Sequence, residues 1–208
     1  MTKSPLRVLL VVAAAYVAAQ MLADISSLRI VEVFGFAVDG GTLVYPFTFT
    51  LRDLVHKIAG KKAARTLIIT AAGINVVMAG FLWIVGKMPA DLATGEQLEF
   101  GAVFSTGLWR IVVASIVAEV ISELLDTEVY QRWFDRFGER MQWGRVLASN
   151  GIAVPVDSAI FVLIAFWGVL GVPVMWEVFW LNVVFKGVIG VASIPWIYLV
   201  RPMPIDSD

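Results

Sequence analysis

The sequence predicts an all-α polytopic membrane protein with six transmembrane helices, and three observations lead to this fold class. Hydrophobic residues make up 59% of the 208 residues and charged residues only 16%. In an average soluble domain about half of the residues are hydrophobic and about a quarter are charged. Six stretches of the sequence are mostly apolar over the roughly 20 residues that a helix needs to cross a bilayer core. Lys and Arg concentrate in alternate loops, as they do in membrane proteins with a fixed orientation.

The six predicted spans belong to one domain, residues 1–208. The first span has Lys3 and Arg7 at its start and resembles a signal peptide only superficially, because it lacks a convincing cleavage site and further spans follow it. The second is unusually polar, the fourth is also less apolar, and the third, fifth and sixth are clear apolar stretches. The spans cover about residues 6–23, 41–58, 65–85, 103–125, 146–169 and 176–199.

Two of the loops have a character of their own. Residues 25–39 are rich in β-forming residues and are interrupted by Gly35, which predicts either a short outer hairpin or a re-entrant segment. The sequence leaves both alternatives open. In the loop formed by residues 127–143, large apolar residues recur every fourth position from Trp133 beside a parallel stripe of arginines. This pattern predicts a separate helix that lies at the membrane interface.

The positive residues predict that both termini lie in the cytoplasm. In this orientation eleven Lys and Arg residues fall on the inner side and two, Arg29 and Lys87, on the outer side. Cytoplasmic loops of membrane proteins carry the excess of Lys and Arg, and the reverse orientation would invert the ratio. We therefore expect a multi-pass protein of the cell membrane, inner or plasma, with its N-terminus and C-terminus both inside.

Composition excludes several classes of function. The sequence has no cysteine and a single histidine, His56, so thiolate metal sites, multi-histidine zinc sites and cysteine nucleophiles are ruled out. It contains no phosphate-binding loop or catalytic constellation, so we expect neither an enzyme nor a bound metal or cofactor. A net charge of −1 gives no electrostatic reason to expect a nucleic-acid partner. The expected partners are the lipid bilayer and a small molecule, and a homodimer is left open.

Charged and amide side chains inside the predicted spans are the strongest functional signal. A charge at the bilayer centre costs at least about 2.5–3.5 kcal/mol, so each one needs a partner or a role. Asn75, Asp157 and Lys186 fall near mid-bilayer, and Asp53 and Glu119 lie towards the cytoplasmic third. Helical spacing places such residues in polar stripes on four spans, which predicts a shared interior cavity. The alternative, in which Asp157 and Lys186 only pair with each other and hold the bundle together, stays open.

Three parts of the chain, in a fixed order, carry a resemblance to a known family. They are residues 40–53 and 60–65, then residues 124–130 with Arg110 before them, and then residues 145–150, 157–161, 164–168 and 185–186. No single motif is specific by itself, but the ordered set resembles the six-span vitamin uptake transporter (VUT) family, whose members are known as queuosine-precursor transporters.

The resemblance implies uptake of a queuosine precursor, such as 7-cyano- or 7-aminomethyl-7-deazaguanine. It also implies a binding site, because a guanine-like edge offers N–H donors to a carboxylate, acceptors to an amide or a cation, and a flat ring to an aromatic side chain. The candidate substrate-binding residues are the carboxylates Asp157, Glu119 and Asp53, the donors Asn75, Asn150, Lys186 and Arg110, and the aromatic residues Tyr45, Phe49 and Phe161.

Two functions from different classes follow from this reading. The first is a transporter that imports the base by alternating access around a mid-membrane polar site, without any ATP-binding element of its own. The alternative is a substrate-binding membrane subunit, for a vitamin or a nucleobase, that works with a separate ATPase module. Six spans and a small size fit both functions, and the family resemblance favours the first.

Overall fold

The computed structural model describes residues 5–27, 29–33, 35–89, 109–138 and 141–199, and within these ranges the chain is a helical bundle with one small hairpin. Apolar segments favour helices because an α-helix satisfies its own backbone hydrogen bonds away from water. The α-helices are α1 (Pro5–Ser26), α2 (Pro46–Lys87), α3 (Trp109–Phe137), α4 (Gln142–Phe166) and α5 (Val172–Ala192). Short 3₁₀ helices are formed by Gly40–Leu43 and Ile194–Leu199.

The longest helix, α2, is divided at Gly60. This residue has a φ of 81° and a ψ of 176°, a positive-φ conformation that glycine adopts far more readily than other residues. It separates residues 46–59 from residues 61–87, which correspond to the second and third predicted spans. Pro46 lies in the first turn of α2, where the missing N–H of proline breaks no helical hydrogen bond.

Four helical segments of the described chain are long and apolar enough to cross a membrane. They are Leu6–Ser26, Pro46–Lys87, Gln142–Phe166 and Val172–Leu199. This agrees with the predicted all-α membrane fold. The count of six spans stays a prediction, because it depends on dividing α2 at Gly60 and on including α3, which carries several buried carboxyl groups. The start of the fourth predicted span, residues 103–108, lies outside the described residues.

The segment after α1 forms a β-hairpin, which is one of the two alternatives that the sequence left open. Strand β1 (Ile30–Val33) pairs antiparallel with β2 (Phe36–Asp39), and Gly35 lies in the turn with a φ of 84°. The 3₁₀ helix that follows packs tightly against the end of α1. A Cβ on Gly41 would lie 2.1 Å from the Ser27 hydroxyl oxygen and 2.6 Å from a backbone oxygen, so only glycine fits at this position.

Small residues allow α3 and α4 to approach closely. Ala114 and Ala118 of α3 and Ala165 of α4 are buried in an apolar cluster with Phe161 and Met175. Small side chains at a helix contact let the two backbones come together, and such packing holds helices to one another in lipid. Many large apolar side chains are exposed on the outer faces of the helices instead, as expected of a surface that contacts lipid.

The separate interfacial helix predicted within residues 127–143 is wrong. Residues 127–137 extend α3 without a break, and the chain then turns at Gly138, which has a φ of 62°. Trp133 gives the physical reason, because its ring packs against α4, where a Cβ on Gly144 would lie 2.8 Å from a ring carbon. The tryptophan therefore joins α3 to α4 and does not mark a separate element.

Candidate functional site

Polar and charged side chains fill much of the bundle interior. In the part of the chain that the structure describes, seven carboxyl groups are buried and, besides the imidazole of His56, three basic groups. The basic residues are Arg52, Arg145 and Lys186, and the acidic residues are Asp24, Asp39, Asp53, Glu119, Glu123, Asp126 and Asp157. A buried charge needs a partner, so the contacts of these groups show which of them are paired within the protein.

A narrow cavity lies at the end of the bundle that carries the hairpin, and in this conformation its free space is little larger than one water molecule. Its walls come from the end of α1, the hairpin, the first 3₁₀ helix, and the helices α3, α4 and α5. The residues that line it are Ala23, Ser27, Asp39, Gly41, Thr42, Tyr45, Ser115, Ala118, Asp157, Phe161 and Lys186. Most of them are polar or aromatic, which suits a small ligand with a flat ring and polar edges.

One wall of the cavity is an ion pair between α4 and α5. Lys186 Nζ lies 2.5 Å from Asp157 Oδ2, and Asp157 Oδ1 accepts hydrogen bonds from Tyr45 Oη and Ser122 Oγ, each at 3.0 Å. The Lys186 ammonium also lies 4.5 Å from the centre of the Tyr45 ring, which is a cation–π distance. Asp157 and Lys186 thus do pair with each other, and both also line the cavity.

Asp39 and Thr42 connect the hairpin end of the chain to the cavity. The Gly41 N–H donates to Asp39 Oδ1 at 2.9 Å, and the Ser27 hydroxyl donates to Asp39 Oδ2 at 3.3 Å. Burial raises the pKa of Asp39 above its usual range, and these two hydrogen bonds offset only part of that effect. Thr42 Oγ1 donates to Asn182 Oδ1 at 3.0 Å and ties the 3₁₀ helix to α5.

A second group of buried polar side chains, the Glu123 cluster, joins α1, α2 and α3. The Glu123 carboxylate accepts hydrogen bonds from Tyr16 Oη at 2.5 Å, Gln20 Nε2 at 2.9 Å and Thr48 Oγ1 at 3.2 Å. All four side chains are buried. Hydrogen bonds to an ionised carboxylate are among the strongest in proteins, so these three donors stabilise the charge of Glu123 and hold the three helices together.

A third group, the Arg52 cluster, joins α2 to α3. The completely buried guanidinium of Arg52 contacts the carboxylates of Asp53, at 2.7 Å, and Asp126. It also donates to the backbone oxygen of Glu123 at 3.2 Å, and the Phe49 ring centre lies 5.3 Å from its central carbon. Arginine suits this position because its planar group presents five donors in a fixed geometry.

Basic residues of α2 hold the end of the bundle that lies away from the hairpin. Lys61 and Arg65 both form ion pairs with Glu128 of α3, the Lys61 pair at 2.8 Å. The hydrogen bond from Lys61 is the main reason that the pKa of Glu128 lies below its usual range. Lys57 donates to Gln142 Oε1 at 2.8 Å and to a backbone oxygen of the last 3₁₀ helix at 2.6 Å. These contacts close this end of the bundle across α2, α3, α4 and the 3₁₀ helix.

The structure brings four of the ten predicted site residues together around the cavity. They are Tyr45, Asp157, Phe161 and Lys186. Two more, Asn75 and Glu119, approach each other in the interior. Their contact falls short of a hydrogen bond, and no other described residue is hydrogen-bonded to either side chain. This pair does not line the cavity.

The other four predicted residues lie elsewhere. Asp53 and Phe49 belong to the Arg52 cluster. Arg110 donates to two backbone oxygens at the C-terminal end of α4, at 2.9 and 3.0 Å, and so stabilises carbonyl groups that the helix itself leaves without donors. Asn150 lies at the contact between α4 and α5, where its Nδ2 would be 3.1 Å from a Cβ on Gly190.

Sequence reasoning missed Tyr16, Gln20 and Asp39. Tyr16 and Gln20 stand four residues apart in an otherwise apolar span, and this spacing puts two polar side chains on one helix face. That signal could have identified both residues. Asp39 gives no comparable signal, because it reaches the cavity only through the hairpin that precedes it.

Comparisons with known proteins relate most of the chain to membrane transporters. A family model described as "Putative vitamin uptake transporter" matches residues 39–200. The "Probable queuosine precursor transporter" of Bacillus subtilis (strain 168) is 25% identical over 190 residues, which are 89% of this chain and 81% of that protein. No solved structure gives a significant match.

Two further relatives align over less of their own length. The "Queuosine precursor transporter" of Escherichia coli (strain K12) is 30% identical over 139 residues, which are 66% of this chain and 59% of the relative. The "Probable queuosine precursor transporter" of Haemophilus influenzae is 26% identical over 134 residues, which are 64% of this chain and 54% of the relative. The alignments therefore cover less than two thirds of these two proteins.

Proposed function

Because this chain belongs to the vitamin uptake transporter family, we propose that it imports queuosine precursors across the cell membrane. The chain is a multi-pass membrane protein and a transporter, not an enzyme. The proposed substrate is 7-cyano-7-deazaguanine, 7-aminomethyl-7-deazaguanine or a related deazapurine. The names of three relatives support this substrate, and so does the chemistry of the cavity.

The observation that carries the proposal is the cavity wall formed by Asp157 and Lys186. A guanine-like base presents a ring N–H and an exocyclic amine side by side, and one carboxylate can accept hydrogen bonds from both. The carbonyl oxygen of the base is an acceptor for the Lys186 ammonium. The flat ring can then stack on Phe161 or Tyr45, which line the same cavity.

In the present conformation Asp157 and Lys186 bind each other, so a substrate must replace that contact. A guanine-like base can replace it because the base brings donors for Asp157 and an acceptor for Lys186. A base without those donors would leave a buried carboxylate unpaired, at a cost of about 3–5 kcal/mol. This requirement gives the site its selectivity, and we assign Tyr45, Asp157, Phe161 and Lys186 to it.

We also propose six spans, cytoplasmic termini and transport by alternating access. In this orientation the cavity lies near the outer face, and the ion pairs of Lys61 and Arg65 with Glu128 close the cytoplasmic side. Along α2, the Glu123 cluster and the Arg52 cluster come between the cavity and that closed end. Import then requires the helices to exchange these contacts, so that the site opens to the inside.

The direct test uses cells that cannot synthesise deazaguanines. These cells receive 7-cyano-7-deazaguanine at low external concentration, and queuosine in their tRNA is measured with and without this chain. We expect queuosine only when the chain is produced. Asp157→Asn should lower queuosine to the level of cells without the chain, whereas Asp135→Asn, at an exposed position of α3, should not. Equal queuosine with and without the chain would refute the proposed function.

Purified protein in proteoliposomes separates this function from that of a subunit for an ATPase module. We expect the chain alone to take up the labelled base. A requirement for a second protein and ATP would favour the alternative function.

A further inference from the structure

Buried acids outnumber buried bases in this bundle. Seven carboxyl groups are buried within the described ranges, against three Lys or Arg side chains and the imidazole of His56. Moving a charge out of water without a counter-charge costs several kcal/mol, and a carboxyl group avoids that cost by binding a proton. The distribution of hydrogen-bond donors indicates which carboxyl group does so.

Most of the buried carboxyl groups have hydrogen-bond donors. Those with at least one donor are Asp24, Asp39, Asp53, Glu123, Asp126 and Asp157. Glu123 and Asp157 have three side-chain donors each. These hydrogen bonds replace part of the water that the carboxyl groups lose, which lowers the cost of their ionised forms.

Glu119 of α3 differs from all of them. Its side chain is 1% exposed, and neither carboxyl oxygen has a hydrogen-bond partner among the residues that the structure describes. The amide of Asn75, from the second part of α2, lies beside it, is 0% exposed and has no partner on either polar atom. Buried polar groups are nearly always hydrogen-bonded, so two adjacent side chains without partners indicate a site that a ligand completes.

The chemistry of this pair fits a proton. An amide offers an N–H donor and a C=O acceptor side by side, and a protonated carboxyl group offers the complementary acceptor and donor. One proton on Glu119 therefore lets the two side chains satisfy each other after a small approach. An ionised Glu119 would leave the amide oxygen of Asn75 without a donor. A metal ion fits less well, because the described residues contain no cluster of three acidic or histidine side chains that could hold one.

The groups that face Glu119 from the neighbouring helices also favour its neutral form. The other acids in its surroundings repel a second negative charge, and the basic group Lys186 of α5 is already bound to Asp157. The titratable residues around Glu119 are Tyr16 and Asp24 on α1, Tyr45 at the start of α2, Glu123 on α3 and Asp157 on α4.

We propose that Glu119 is a proton-binding site that couples substrate import to a proton gradient. This inference rests on the proposed function, because coupling needs a transported substrate. A proton from the outer solution joins the Glu119 carboxylate, which becomes a neutral carboxyl group, and the same proton leaves to the cytoplasm once the helices rearrange. Ser122, one turn further along α3, donates to Asp157. A movement of α3 therefore displaces Glu119 and changes the hydrogen bond to Asp157 at the same time.

The test uses the purified full chain in proteoliposomes with the membrane potential held at zero. At equal pH on both sides, exchange of labelled for unlabelled 7-cyano-7-deazaguanine measures the substrate site alone. With the outside one pH unit more acidic, one proton per neutral substrate drives about tenfold accumulation. We expect both activities in the wild type. Glu119→Gln, which is neutral at every pH, should retain exchange and lose the accumulation.

The matched control is Glu177→Gln, which changes an exposed carboxyl group on α5 and should preserve both activities. Accumulation by Glu119→Gln under the acid gradient would overturn the proton site, and so would a wild type that exchanges substrate but ignores the gradient. Loss of exchange in a correctly folded Glu119→Gln protein would also overturn it, because Glu119 would then belong to the substrate site. A wild type that exchanges no deazaguanine would instead refute the proposed function.

A second measurement needs no substrate and does not depend on transport by the variant. Infrared difference spectra of the wild type between acidic and alkaline buffer should contain the C=O band of a buried protonated carboxyl group. Glu119→Asp should shift this band and Glu119→Gln should remove it. An unchanged band in Glu119→Gln, or no such band in the wild type, would overturn the proposal.

Discussion

Replacement of Lys186 by Met should destabilise the protein because it leaves Asp157 as a buried carboxylate without its counter-ion. Asp157 is 2% exposed and Lys186 is 6% exposed, and removal of one member of such a pair costs about 3–5 kcal/mol. Asp157 keeps its hydrogen bonds from Tyr45 and Ser122, and these offset part of the loss. We therefore expect Lys186→Met to lower the free energy of unfolding by about 2–4 kcal/mol.

The assay is a double-mutant cycle on purified protein in detergent, with the free energy of unfolding taken from denaturant titration. Asp157→Asn removes the charge that Lys186→Met leaves unpaired, so the two changes should couple with an interaction free energy of about 0.5–3 kcal/mol. Lys87→Met, at an exposed position near the end of α2, is the control and should change stability by less than about 0.5 kcal/mol. Strictly additive effects of Asp157→Asn and Lys186→Met would refute the reasoning.

Three further predictions concern packing and charge elsewhere in the bundle. Gly41→Ala should cost about 1–3 kcal/mol of stability, because its Cβ would overlap atoms of α1. A Cβ on Gly73 meets nothing within 4 Å, so the control Gly73→Ala should not destabilise the protein. Thermal unfolding compares the two variants. Tyr16→Phe removes a donor from the Glu123 carboxylate and should cost about 1.5–3 kcal/mol in the denaturant assay, so an unchanged stability would contradict the role of this hydrogen bond. Because the pKa of Glu128 is lowered in the folded state, its ion pairs stabilise the protein above the ordinary glutamate pKa and lose that effect as the pH falls through the lowered value. Glu128→Gln should thus cost at most about 1 kcal/mol at neutral pH and nothing in strong acid, and a cost that is independent of pH would contradict the ion pairs.

The helices of this fold were predictable because a membrane span must contain a long apolar stretch. The first span is predicted over residues 6–23, which lie within the observed helix Pro5–Ser26, and most of the fifth, predicted over residues 146–169, lies within the observed helix Gln142–Phe166. The role of Trp133 was not predictable in the same way. Its spacing fits a helix at the membrane surface as well as a helix that packs on α4, and only the position of Gly144 in space decides between them.

The site was predictable in its residue types but not in its contacts. The cost of a charge in lipid identified Asp157 and Lys186 as residues that need a partner or a role. Spacing along one helix cannot give the rotation and depth of its neighbours, so it could not show that Tyr45 also binds Asp157. Arg110 illustrates the same limit, because its long side chain reaches backbone oxygens at the end of α4 that no pattern in α3 predicts.

The cavity beside Asp157 and Lys186 is proposed to bind a guanine-like deazapurine. The most direct measurement is calorimetric titration of the purified wild type and of Asp157→Asn with 7-cyano-7-deazaguanine, with adenine as the control ligand. We predict saturable binding of the deazaguanine to the wild type and no comparable binding of adenine. Asp157→Asn should bind the deazaguanine at least about tenfold more weakly, a loss of about 1.4 kcal/mol. Equal affinity of the two proteins, or no binding to the wild type, would contradict the claim.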